Sequence, residues 1–339
     1  MASLRDVADR AGVSLATASR VASGSSAVRP ETKERVEGAM RDLLYVPPGR
    51  VEASSAIGLF VPDFSNPIFA ALAEAMEMHA SRSGLATILC NTHGSAGRER
   101  DYVRMLLERG VEGMLFISAE ITDIRGRHSH YAKLLERGAR LVFVNGGSEE
   151  LDVTSVGVDE RAAGRIATEH LVELGHERIG FVAGDEYALP TREKALGHRD
   201  ALRAAQLTDG LVAHSSFTVG GGREALRELL AKPDGERPTA VICSSDLMAI
   251  GALQEAGQRG LHVPDELSIV GFDGIDAAMW TNPPLTTVEQ PIDEIARTAV
   301  GALWGQVARP SERQPSYVFR PRLRVGGTTA PPSSALATS

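Results

Sequence analysis

LRDVADRAGVSLATASRVA, residues 4–22, is the stretch on which the reading of this chain turns. Leu4, Val7, Ala8 and Ala11 fall at i, i+3, i+4 and i+7, which predicts a short helix over Leu4–Ala11. Gly12 follows and can take the positive φ that ends a helix. Val13 tucks inward, Ser14 stands where an N-cap is needed, and a second short helix covers Leu15–Ala22. Two helices around a tight glycine turn make a helix-turn-helix. Outward from it, Pro30 opens a third helix, Glu31–Leu44, with Val36, Met40, Leu43 and Leu44 as its apolar stripe.

A trio of this kind also describes a plain structural bundle, and the wider text separates the two. RDVADRAGVSLATASRVASGSSAVRPETKERVEGAMRDLLYVP (5–47) resembles the DNA-binding head of the lactose-repressor family, LacI/GalR type, along its whole length. The resemblance implies that the second helix enters the major groove, with Leu15, Ala16 and Arg20 at the base-reading positions. Their chemistry agrees: arginine pairs bidentately with guanine O6 and N7, and a small apolar side chain packs on a thymine methyl. Ser14, Thr17 and Ser19 are short hydroxyl donors suited to phosphate oxygens, and Arg29 at the entry of the third helix is another phosphate contact. Each hydroxyl has capping or solvation as its alternative role, and Arg20 a surface salt bridge.

The joint departs from the family. Relatives continue from Tyr-x-Pro-Asn into a hinge helix whose leucine wedges into the minor groove. Here the text is Tyr45-Val-Pro-Pro-Gly-Arg-Val-Glu-Ala-Ser-Ser-Ala56. Pro47, Pro48 and Gly49 oppose a helix start, and Val51 is the one candidate wedge. A short, partly stiff linker is expected over 47–56.

From Ile57 the pattern alternates strand and helix, beginning IGLFVP (57–62), Pro67–Arg82, ATILC (86–90), Arg98–Arg109 and GMLFI (113–117). ARLVFVN, SVGVD, RIGFVAG, TAVICSSD and LSIVGFD continue the strands between helices. Strands spaced by helices of this length mean βαβ units and parallel sheets. The expected fold is a small all-α helix-turn-helix head plus an α/β two-lobed body with parallel Rossmann-like sheets. VPDFSNPIF (61–69), HLVELGHERIGFVAG (170–184), SSDLMAIGAL (244–253), VPDELSIVGFDG (263–274) and PPLTTVEQP (283–291) resemble the same family's body, and through it the periplasmic sugar-binding proteins. That likeness implies a head over 1–46, the linker 47–56 and an effector-binding and dimerisation domain over 57–330. Its N-lobe would take 57–157 and 288–316, and its C-lobe 158–287 and 317–330. A disordered tail is expected over 331–339. No heptad run stands near the C-terminus, so a coiled-coil tetramer is not expected, and the family resemblance implies a dimer.

Ligands of open α/β sheets bind beyond the carboxyl ends of the strands. Phe64, Ser65 and Asn66 follow the first strand, Asn145 ends LVFVN, Asp246 follows VICSS and Asp273 follows LSIVGF. Forked acceptors and donors of this type suit sugar hydroxyls, and Phe64 and Phe217 are placed to stack on a sugar ring. By resemblance Lys194 holds the position of an effector-contacting arginine, with Arg192 a second candidate, and Gln290 matches a cleft position. Asp246 and Asp273 also read as caps, Asn145 as a turn residue, Asp63 as structural and Phe69 as core.

Charge sharpens the functional reading. Residues 1–50 hold eight Lys/Arg against six Asp/Glu, a balance of +2, which leaves −10 of the net −8 on the remainder. A mildly basic head on an acidic body suits a protein that touches phosphate at one end only. The nine histidines are scattered; His128 and His130 flank a serine, with no third ligand at helical spacing. GxSxG is absent, and so is GxGxxG after the first strand. Cys90 and Cys243 sit alone in apolar segments, as buried thiols do. No catalytic, metal or cofactor site is expected. No apolar run reaches a membrane span and the first residues lack a signal h-region, so the cytoplasm is the expected location. The expected function is sequence-specific transcriptional regulation, as a repressor. Its partners are a pseudo-palindromic double-stranded operator, a second copy of the chain and a small effector. A sugar stands first as effector and a nucleoside or other metabolite second. A sugar-binding protein without regulatory output is the remaining reading.

Overall fold

The structure is a computed structural model and describes residues 3–23, 28–43, 45, 56–126, 128–148, 151, 153–309 and 315–333. The joint with Pro47, Pro48, Gly49 and Val51 lies outside these residues, as does 334–339 of the tail. The chain divides into two compact units, Met1–Ala56 and Ile57–Ser339.

The first unit holds α1 (Leu4–Ala11), α2 (Leu15–Ala22) and α3 (Pro30–Asp42). Ser3 starts α1 with a capping box: the Asp6 N–H donates to Ser3 Oγ at 3.3 Å and the Ser3 N–H to Asp6 Oδ2 at 2.7 Å. Two N–H groups that the helix itself leaves unpaired are thereby satisfied. Gly12 takes φ 62° and closes α1. Val7, Ala8, Ala11, Ala18, Val21, Ala22, Val36, Ala39 and Met40 form the buried centre of the trio. α3 ends at Asp42, two residues short of the expected Leu44, where Arg10 of α1 meets Asp42 at 3.2 Å.

The body begins with β1 (Ala56–Val61), α4 (Pro67–Arg82), β2 (Ala86–Asn91), α5 (Ala96–Glu108), β3 (Gly113–Ile117), α6 (Ser129–Glu136), β4 (Leu141–Val144) and β5 (Thr154–Val158). It continues with α7 (Glu160–Glu173), β6 (Ile179–Ala183), α8 (Leu189–Ala204), β7 (Val212–His214), α9 (Val219–Leu230), β8 (Ala240–Cys243), α10 (Asp246–Gln258) and β9 (Ser268–Asp273). β10 (Thr286–Glu289), α11 (Ile292–Ala308), β11 (Tyr317–Phe319) and β12 (Arg322–Arg324) complete it. Every residue of β3 and β4 is buried, as expected of central parallel strands covered on both faces.

One sheet runs β11-β5-β4-β3-β1-β2, the other β12-β10-β9-β8-β6-β7. The expected lobe boundaries need two corrections. β10 pairs with β9 in parallel, so Val288 and Glu289 belong to the second lobe, not the first. β11 pairs in parallel with β5, so 317–319 belong to the first lobe, and only β12 returns to the second, antiparallel to β10. YVFRPRLR reads as one run, but Pro321 has no N–H to give a ladder, and the chain changes sheets there. Of the expected disordered tail, 331–333 are described, and they run without helix or strand, half-buried at Pro332 and Ser333.

α7 and α8 pack unusually close. A Cβ at Gly164 would collide with the carbonyl of Lys194, and one at Gly197 with the carbonyl of Arg161. This reciprocal pair of glycines sets α8 directly against the start of α7.

Candidate functional sites

In the head, α2 turns one face inward through Ala18, Val21 and Ala22 and leaves Leu15, Ala16, Ser19 and Arg20 exposed. Leu15 is 44% exposed, a large apolar side chain held in water on the same face as an arginine. Arg20 and Arg29 are exposed and have no ion-pair partner among the described residues. Ser14 performs the capping role: its Oγ accepts the Thr17 N–H at 3.2 Å and lies 2.9 Å from Thr17 Oγ1. Its oxygen is thus already engaged, while Ser19 is an exposed hydroxyl and Thr17 a half-buried one.

In the body, a relay joins the lobes where their strands end. Asn145, at φ 55° after β4, donates through Nδ2 to Gln290 Oε1 at 2.9 Å. Gln290 donates through Nε2 to Asp273 Oδ1 at 2.8 Å. Asp273 takes φ 122°, a conformation an L-residue holds only under constraint, and is 5% exposed. Burial pushes its carboxyl well above the usual range, and the neighbouring charge of Asp246 adds to that. Three of the expected effector residues are therefore brought together.

Others are not presented to a ligand. Asp246 is fully buried: Oδ2 accepts the N–H groups of Gly274 (2.8 Å) and Ile275 (2.9 Å), and Oδ1 accepts the Thr287 hydroxyl (2.5 Å). Oδ2 fixes the loop after β9 and Oδ1 ties the helix to β10, so Asp246 is a tether rather than an effector ligand. Burial pushes its carboxyl up to about 6 against the pull of those hydrogen bonds. Asn66 is 6% exposed and caps α4, its Oδ1 accepting the Ile68 N–H at 3.3 Å. Ser65 is exposed and tied to Asp63, which accepts both its N–H (2.8 Å) and its hydroxyl (2.5 Å). Asp63 is thus structural. Phe64 is 42% exposed, whereas Phe217 is half-buried against Gly184.

Lys194 is 4% exposed, its Nζ 2.6 Å from Glu160 Oε2 and 3.8 Å from the centre of the Phe272 ring. The ammonium is closed onto its own protein, while Arg192 on the same helix is exposed. Glu160 was not singled out by sequence. Its only signal is its place directly after a strand, the rule that did select Asn145 and Asp273.

Two cavities open between the lobes. One of about 700 Å³ is lined by Asn145 to Ser148, Val156 to Arg161, the start of α8 and β11. One of about 300 Å³ lies at the ends of β1, β2 and β3 and includes Ser118, Thr122, Asp185 and Tyr187. Beside the smaller cavity Glu99, Glu120 and His130 converge, their ligating atoms within 4.8 Å of one another. The partners of His130 thus come from distant sequence. Their carboxylates are already occupied: Arg100 grips both oxygens of Glu120 (3.1 and 2.8 Å), and the Tyr131 hydroxyl donates to Glu99. The cluster therefore carries its own counter-charge. No helix among the described residues is long and apolar enough to cross a membrane.

Residues 3–48 match the family model for bacterial regulatory proteins of the lacI family, and residues 168–329 match that for the periplasmic binding protein-like domain. Over 334 residues the chain is 41% identical to an uncharacterized HTH-type transcriptional regulator in the aml 5′ region of Streptomyces limosus, covering 96% of this chain and 94% of that one. Among solved structures it is similar to a transcriptional regulator CelR–cellobiose complex, with TM-score 0.73, 30% identity and coverage of 97% and 100% of the two chains. It is also similar to the lac repressor dimer bound to operator and the anti-inducer ONPF, with TM-score 0.82, 26% identity and coverage of 97% and 99%. A helix-turn-helix whose second helix keeps one face in solvent, a two-lobed body joined at its strand ends and likeness along nearly the whole chain agree, and the protein belongs to the LacI family of bacterial transcriptional regulators.

Proposed function

We propose that this regulator is a homodimeric repressor of the cytoplasm whose paired heads grip a pseudo-palindromic operator, and that a small polar effector between the lobes, a sugar before a nucleoside, changes its operator affinity. Leu15, Ala16 and Arg20 read bases; Ser19 and Arg29, with the one hydroxyl proton that the Ser14–Thr17 pair leaves free, contact phosphates. Two heads on one duplex require half-sites about one helical turn apart. Trp280 is 79% exposed beside Met279 at 47%, apolar area of the kind subunit interfaces cover.

The observation that carries the effector reading is the Asn145–Gln290–Asp273 relay. Its three side chains hold the two lobes in register through hydrogen bonds that a polyol's hydroxyls replace one for one. Phe64 and Phe217 supply apolar surface for a ring, and Arg192 and Lys194 flank it. Lys194 joins a ligand only by leaving Glu160. The cellobiose in the similar CelR structure supports placing a sugar first. Linkage then demands that effector and operator alter each other's affinity by one factor.

The test is a thermal-shift screen of the full chain against sugars and nucleosides, followed by mobility-shift titration with operator in the presence of each hit. A sugar that stabilises the body and moves the operator titration is the expected result. Hits confined to nucleosides reassign the ligand, and a panel in which no compound changes operator binding removes the effector role.

A further inference from the structure

The chain has four asparagines, and one of them, Asn145 of the relay, precedes a glycine. We propose that Asn145–Gly146 is a self-modification site, at which the protein deamidates its own inter-lobe relay, and that the hydrogen bond to Gln290 holds the reaction back.

An asparagine loses its amide when the backbone nitrogen of the next residue attacks its Cγ. The N–Cγ bond forms, the Cγ–Nδ2 bond breaks, and Nδ2 leaves as ammonia with the proton given up by the attacking nitrogen. Water then opens the succinimide ring, at Cγ to give aspartate or at the main-chain carbonyl to give an isoaspartyl link. No electron is transferred, and water is the sole co-reactant. The step needs a nitrogen that bears a proton, little bulk on the following residue and a backbone free to turn. A following glycine meets all three.

The other asparagines are denied these conditions. Asn66 and Asn282 precede Pro67 and Pro283, whose nitrogens carry no proton. Asn91 precedes the β-branched Thr92, whose N–H donates to the Val61 carbonyl at 2.9 Å. Asp273–Gly274 has the arrangement for the same ring, with water as leaving group, but its Gly274 N–H is held by Asp246 Oδ2 at 2.8 Å.

At Asn145 the conditions meet. The Gly146 N–H has no hydrogen-bond partner among the described residues, and 146–148 run without helix or strand. Gly146 lines the larger cavity, where water reaches it. Asn145 Oδ1 is buried without a partner, so the amide is anchored through Nδ2 alone, 2.9 Å from Gln290 Oε1. Packing imposes the dipeptide. Asn145 holds φ 55°, which asparagine tolerates better than most side chains, and a Cβ on Gly146 would lie 2.8 Å from Thr122 Cγ2. Conversion replaces the Nδ2 donor by a carboxylate oxygen aimed at the oxygen of Gln290, and adds a negative charge one step along the relay from Asp273. The isoaspartyl product also lengthens the main chain by one carbon where β4 leaves the sheet.

The test is peptide mapping by mass spectrometry of the full chain held at mildly alkaline pH, with aspartate and isoaspartate resolved at each asparagine. Asn145 is expected to convert while Asn91 stays intact, and the native chain to convert more slowly than chain unfolded in guanidinium chloride. Gln290→Ala, which removes the partner of Nδ2, should speed native conversion about two- to ten-fold, the factor that one hydrogen bond is worth. If that variant loses its fold, the native and unfolded wild-type rates alone read the restraint. The proposal is overturned if native Asn145 stays intact, if Asn91 converts as fast, if native and unfolded rates agree, or if folded Gln290→Ala keeps the wild-type rate. None of these readouts involves an effector, so the sugar reading stands or falls apart from them.

Discussion

Gly197→Ala should unfold the body more easily, although the same exchange in a free helix strengthens it. In a helix interior alanine is worth about 1 kcal/mol more than glycine. At Gly197 the new Cβ meets the carbonyl oxygen and carbon of Arg161 and the N–H nitrogen of Arg165, all backbone, which has no rotamer to escape through. α7 and α8 must then part by roughly 1 Å, and a gap of ~1 Å forfeits up to about half of each dispersion contact along the seam. Overpacking of this kind costs ~1–3 kcal/mol beyond the propensity gain. The net expectation is a loss of about 2 kcal/mol, or ~3 °C in melting midpoint for a body of this size. The control is Gly301→Ala in α11, where no atom lies within 4 Å of the new Cβ; it should raise the midpoint by up to ~2 °C. Both are read by scanning calorimetry and urea titration. A Gly197→Ala midpoint at or above wild type would refute the claim that backbone contact sets the α7–α8 distance.

Arg20→Ala should abolish operator preference at a cost of ~1–3 kcal/mol per half-site while circular dichroism stays unchanged, and wild-type affinity in a mobility-shift titration would sink the assignment. Asp246 gives a pH signature. Unfolded, its carboxyl loses its proton near the ordinary 3.8, and folded it keeps it to about 6. The folded state then holds the extra proton between about pH 4 and 6, so this group makes stability fall as pH rises through that window. Asp246→Asn, whose amide can still meet Thr287, should flatten that fall in urea midpoints. Part of the slope should persist because Asp273 is raised in the same direction; an unchanged slope would mean that Asp246 titrates as an exposed carboxyl.

The head was legible almost residue by residue, because helix signals there are local. Gly12, Ser14 and Pro30 act within one turn of where they stand. The alternation of the body was legible for the same reason, down to Pro67–Arg82 and Gly113–Ile117. What sequence cannot supply is the partner of a side chain. Asp246 and Asp273 both follow a strand and carry the same group, yet one is tied down by two N–H groups and a hydroxyl while the other joins a relay across the lobes. Lys194 reads as a ligand contact until α7, drawn in by Gly164 and Gly197, brings Glu160 to 2.6 Å from it. The switch of sheets at Pro321 and the second cavity likewise depend on neighbours far away along the chain. Amino-acid order by itself determined the elements, through periodicity and caps, and the family, through the matching run over 5–47 and the matching phrases of the body. Tertiary structure alone decided which polar groups a ligand can recruit, because Asp246 spends both oxygens on three donors within one lobe, whereas Asn145, Gln290 and Asp273 meet where the strands of the two lobes end.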